Sequence, residues 1–153
     1  MKKINHLVQF ILVSILFFIF KILGFRISSN LGFAIGRTLG PLFRSKKLII
    51  KNLDKAGIKK NQIKIASNVL GNYGRIFAEY VHLINFKNNK LEKFISVYGI
   101  EYLEDIKKHK KKVVFITGHF NNFELVPIQL EKSGIDCSII YRAQNNKYLN
   151  NTM

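Results

Sequence analysis

From Ile4 to Phe20 the chain carries no Asp, Glu, Lys or Arg, and Leu7 through Phe20 is almost wholly Leu, Ile, Val and Phe, broken only by Gln9 and Ser14. So continuous an apolar run has no polar face to turn to water, and it belongs in lipid. Lys21 is followed by Ile22-Leu23-Gly24-Phe25, and a lysine this near a helix end reaches the headgroups. Counted to Phe25, the segment is just long enough to cross a hydrocarbon layer of about 30 Å. We expect residues 1–25 to be a membrane anchor, either spanning the bilayer or dipping into its interface. No small-x-small cleavage site follows the run, which argues against a secretory signal. Two lysines precede it, whereas Arg26, Arg37, Arg44, Lys46, Lys47 and Lys51 follow. The positive-inside rule then puts everything after Phe25 on the cytoplasmic side.

At 153 residues the chain is about one domain long. It is 48% hydrophobic and carries a formal net charge of +16, and disordered basic tails do not combine the two. A folded or membrane-associated protein with a basic surface is expected, with anionic partners: a phospholipid leaflet, a phosphorylated substrate, an acidic carrier protein or nucleic acid. A coding bias toward Lys, Asn and Ile is the other source of such a charge. The single cysteine, Cys137, excludes an internal disulfide, suits a reducing compartment and, in its apolar stretch, is expected to be a buried thiol.

Residues 26–90 read as a basic helical region. Between Gly36 and Ile65 nine basic residues face one acid, Asp54, a block that gains about 1 kcal/mol per side chain beside an anionic leaflet. Ser45 suits the N-cap of a helix through Leu48, Ile49, Leu53 and Ala56, closed by Gly57. Asn61 suits the cap of a longer one, in which Ile63, Ala66, Leu70, Tyr73, Phe77 and Tyr80 form an apolar stripe. Gly71 and Gly74 inside it point to close packing or a bend.

Residues 91–153 read as the first part of an α/β domain. Phe94–Tyr98 is expected as a short strand, Glu101–His109 as a helix with Tyr102, Leu103 and Ile106 inward, and Val113–Thr117 as a buried strand after a solvated lysine run. A helix from about Phe123 to Lys132, stopped by Gly134, and a strand Cys137–Tyr141 complete a parallel βαβ unit, whose ligands collect at the carboxyl ends of the strands. The predicted fold class is therefore α/β, an N-terminal membrane helix and helical hairpin followed by a partial parallel βαβ sheet.

His119 and Glu124 sit just past one strand end, and Arg142 just past the next. A histidine with an acidic partner takes a proton from an alcohol at neutral pH. On a continuous helix these positions would point about 140° apart, so the chain must turn between them. Asn121 and Asn122 supply that turn, because asparagine tolerates left-handed backbone and caps helices well. Glu124, in the first helical turn, is favoured by the helix dipole. The plainer alternative is a histidine satisfied by local hydrogen bonds.

Gly118-His119-Phe120-Asn121-Asn122-Phe123-Glu124-Leu125 resembles the Gly-His-Phe-Gly-Asn-Trp-Glu-Leu segment of the lipid A biosynthesis lauroyl and myristoyl acyltransferases, within the wider His-x4-Asp/Glu glycerolipid acyltransferases. The similarity extends to the anchor, to Arg44-x-Lys46-Lys47 with Lys51-Asn52-Leu53, to Tyr98-Gly99-Ile100-Glu101-Tyr102-Leu103, and to Tyr141-Arg142 with Asn145-Asn146. Asn121 stands where the family has glycine, and Phe123 where it has tryptophan. Members of that family are considerably longer, so this chain resembles an N-terminal half.

The resemblance implies an acyltransferase that moves a fatty acyl chain from acyl carrier protein to a hydroxyl of a lipid A precursor. It implies His119 as general base and Glu124 as its partner, Arg142 and Asn122 as substrate contacts, and no metal or cofactor. Expected partners are the acyl carrier protein, the anionic glycolipid and the membrane. Nucleic acid is not among them, since the basic runs lack regular aromatic interleaving. The rival reading is a non-catalytic, polybasic, membrane-associated fragment.

Overall fold

Gly24 interrupts the first helix, and its backbone (φ 74°, ψ 166°) is one that only glycine adopts readily. It divides α1, Lys2–Phe43, into an N-terminal part carrying the apolar run and a C-terminal part that continues to Phe43. The computed structural model describes residues 2–140 and 143–150. Over Lys3–Phe43 the helix is long and apolar enough to cross a membrane, and little of its most apolar stretch is covered by protein. Ile4, Phe18 and Ile22 are among its exposed side chains.

The chain forms two compact units. The first consists of Phe20–His82 together with the tetrapeptide His119–Asn122. In it α2, Lys46–Lys55, begins after Ser45 and ends before Gly57, whose φ of 76° is the left-handed stop the sequence predicts. The turn into α3, Gln62–Glu79, is tied by Asp54, which accepts from Gln62 Nε2 at 2.7 Å and Lys59 Nζ at 3.2 Å. The Gln62 amide first, then the Lys59 ammonium, hold the Asp54 carboxyl below its ordinary range.

The buried face of α3 keeps part of the predicted stripe, Ala66 and Leu70 buried and Phe77 and Tyr80 half-buried, but not all of it. Ile63 is 72% exposed and Tyr73 48%, whereas Ala66, Ser67, Leu70, Gly71 and Ala78 are buried. Gly32, Gly36 and Gly40 recur every fourth residue on α1 and meet Leu70, Gly74 and Ala78 of α3. A Cβ on Gly32 would come within 2.5 Å of both Ala78 Cβ and Gly74 O. The helices touch backbone to backbone, which large side chains forbid. Gly71 leaves room for the Phe33 ring, and Phe33 in turn lies 4.7 Å below the Arg75 guanidinium.

The second unit holds residues up to Ile19, Leu83–Gly118 and those from Phe123 onward. Here α4, Leu83–Lys87, packs on α6, Leu125–Lys132, with Phe86 and Leu130 buried. Lys87 Nζ donates to Glu131 at 2.7 Å and Lys132 Nζ to Glu92 at 3.2 Å. Between them α5, Ile100–Lys108, starts from left-handed Gly99. Its Leu103 and Ile106 are half-buried, but Tyr102, predicted inward, is 70% exposed. Asn146, ahead of α7, Lys147–Asn150, donates to the His6 carbonyl at 2.8 Å, and Tyr148 meets the Phe10 ring.

The predicted α/β class is corrected: the described residues contain helices, turns and extended segments, and no β-strand. Phe94 closes a short 3₁₀ turn, Ile95–Tyr98 is irregular, and Val113–Thr117 and residues 137–140 run without ladder partners. Tyr141 lies outside the described residues. A strand exists only where a neighbour takes its backbone N–H and C=O groups. Without one, apolar alternation forms nothing: Val114, Ile116 and Ile140 are almost fully exposed. Cys137, expected to be a buried thiol in one of these strands, is exposed for the same reason.

Candidate functional site

The densest buried polar chemistry lies in the first unit, where the kink in α1 begins it. A break in the helical ladder leaves carbonyls of the preceding turn in need of donors. Ser28 Oγ supplies one, donating to the carbonyl of buried Phe20 at 2.6 Å. The hydroxyl proton is thereby committed, so His82, whose Nε2 lies 3.4 Å from Ser28 Oγ, donates from that nitrogen. His82 forms the 3₁₀ turn that follows α3, is 2% exposed, and is met edge-on by the Phe25 ring at 6.0 Å. Burial pushes its imidazole below the ordinary value of 6.5, and the Phe20 carbonyl and Glu79 carboxylate oppose this only in part.

One turn back, Glu79 ends α3 and is 7% exposed. Its Oε1 accepts from Ser29 Oγ at 2.7 Å and its Oε2 from Asn122 Nδ2 at 2.9 Å. Asn122 Oδ1 and Arg75 Nε are buried without a hydrogen-bond partner. A carboxylate in such a place is tolerated only when paired or hydrogen-bonded. Two neutral donors hold this one.

Of the predicted site residues, His119 and Asn122 fall in this unit and Glu124 in the other. His119 is exposed, Asn122 is half-buried, and Glu124, also half-buried, immediately precedes α6. The predicted turn is present, since Asn121 has φ 47°. Arg142 lies outside the described residues. Among the described residues no three His, Cys, Asp or Glu side chains cluster as metal ligands do. In the second unit a cavity of about 370 Å³ opens beside α5 and α6, lined by Val97, Ile100, Leu103, Lys107, Gln129 and Lys132.

Sequence reasoning missed Ser29, Glu79 and His82. A signal was there, since Glu79 and Asp54 are the only acids before Glu92, and Glu79 and His82 interrupt the apolar run Ile76-Phe77-Ala78 to Leu83-Ile84. An ionisable residue placed in such a run needs a partner, and the partners are distant in sequence.

No curated protein and no solved structure matches the chain. A family model does, over residues 1–153, and the segment that carries the His119-x4-Glu124 pattern lies within that match. The chain belongs to the bacterial lipid A biosynthesis acyltransferase family.

Proposed function

We propose that this acyltransferase moves a fatty acyl chain from acyl carrier protein to a hydroxyl of a lipid A precursor, at the cytoplasmic face of the inner membrane. The family match over the whole chain carries the reading. His119 takes the acceptor's hydroxyl proton as the oxygen attacks the thioester carbon, and Glu124 orients the imidazole and stabilises its charge. The tetrahedral intermediate then expels the carrier thiolate, which recovers the proton from the imidazolium. The oxyanion is stabilised by backbone N–H groups at Asn121 and Asn122, a role supported by the left-handed backbone of Asn121 (φ 47°), a conformation found in anion-binding turns. Arg142 contacts phosphate on the glycolipid or the carrier, and the basic surface attracts both anionic partners.

The test is acyl transfer from acyl carrier protein to a lipid A precursor in membranes that contain the wild type or His119→Ala. The variant is expected to lose about 10²- to 10⁴-fold in rate. Equal rates from a demonstrably active protein would overturn the assignment.

A further inference from the structure

We propose that Glu79 is a positioning residue that sets the His119–Asn122 turn through its hydrogen bond to Asn122. The inference rests on the reading of His119 as general base and adds a residue outside the His-x4-Glu pattern. Three observations carry it. The tetrapeptide His119–Asn122 belongs to the helical unit Phe20–His82, although the residues on both sides of it belong to the other unit. Within that unit, the Asn122 Nδ2 to Glu79 Oε2 bond at 2.9 Å joins the tetrapeptide to α3 across 43 residues of sequence. Glu79 is itself held on α1 by Ser29 Oγ at 2.7 Å, so the turn is fastened to two packed helices.

The chemistry of the position favours a purpose beyond packing. An apolar residue of similar volume at a buried site is often as stable as a hydrogen-bonded charge or more so. At Glu79 two carboxylate oxygens accept one side-chain donor each, one from α1 and one from the turn, and a leucine could hold neither. Asn121, between His119 and Asn122, has a left-handed φ of 47°, a conformation that one hydrogen bond on the next residue helps to hold. Loss of that bond loosens the turn that carries His119, three residues away. Misplacement of a reacting group by about 1 Å costs on the order of 10²-fold in rate.

Four variants of the full chain, in membranes or detergent, test this. Glu79→Ala removes both acceptors and is expected to lower kcat by roughly 10²-fold, with KM for the acyl donor unchanged within about two-fold. Asn122→Asp sets two carboxylates against each other and is expected to do the same. Glu79→Gln returns most of the rate, because its Oε1 still accepts from Ser29 while its Nε2 donates to a flipped Asn122 amide. The double variant Glu79→Gln/Asn122→Asp restores a donor facing an acceptor and recovers the rate lost in Asn122→Asp.

Hydrogen exchange of the amides of residues 118–123 reads the same bond without turnover. Exchange there is expected to quicken in Glu79→Ala and Asn122→Asp and to slow again in the double variant. Unchanged exchange in Glu79→Ala, or a double variant no better than Asn122→Asp by either measure, overturns the proposal and leaves Glu79 a packing residue. Should the wild type transfer no acyl group, the proposed function fails, and the exchange series alone decides whether Glu79 holds the turn.

Discussion

At the scale of single residues, His82 ties stability to pH. Its folded-state affinity for protons is reduced by burial, whereas in the unfolded chain it titrates near 6.5. Above that value both states are neutral and the full stability is present. As the pH falls from 6.5 toward the lower folded value, the unfolded chain binds the proton first and stability is lost. Thermal unfolding in detergent between about pH 7.5 and pH 5 should show a falling midpoint, and His82→Gln should flatten that part of the slope. Asn121 makes a second case. Valine there must adopt φ 47° with a branched Cβ and should destabilise the unit by about 1–2 kcal/mol, whereas glycine, the family's usual residue, should leave it nearly unchanged. Denaturation midpoints of the two variants against wild type decide it. The turn at Asn121 was legible in the sequence because asparagine's tolerance of left-handed backbone is local. The Glu79 to Asn122 bond was not, because nothing in either residue's neighbourhood names its partner.

Among the elements, the stack of α1 on α3 depends on having no side chains where the helices cross. A Cβ on Gly36 would approach Gly74 Cα to 2.9 Å, and the obstruction is backbone, which cannot rotate away. Gly36→Ala should therefore cost about 2–3 kcal/mol, the upper part of the usual overpacking range. Gly57→Ala meets nothing within 4 Å and bears only the left-handed backbone, about 1 kcal/mol. The order of the two melting temperatures checks the argument. The sequence signalled close packing or a bend at Gly71 and Gly74, and the structure selects close packing and adds the facing row at Gly32, Gly36 and Gly40. It also decides that Leu70 and the small residues of α3, and not Ile63 or Tyr73, face the core.

At the scale of the whole molecule, a helix long and apolar enough to cross a membrane leads into a block dense in lysine and arginine. That order suits an enzyme of lipid A synthesis, whose acceptor is itself carried in a bilayer. The amino-acid sequence alone determined the apolar segment, the extents of α2, α3, α5 and α6 to within a few residues, the left-handed stops at Gly57 and Gly134, and the family motif. Helical hydrogen bonds close within four residues, so periodicity and caps suffice to place them. Only the tertiary structure decided that the apolar stretches 113–117 and 137–140 pair with nothing among the described residues, which face of α3 is buried, and that Glu79 joins Ser29 and Asn122. Strand pairing and buried polar contacts close over tens of residues, and local sequence carries no record of the partner.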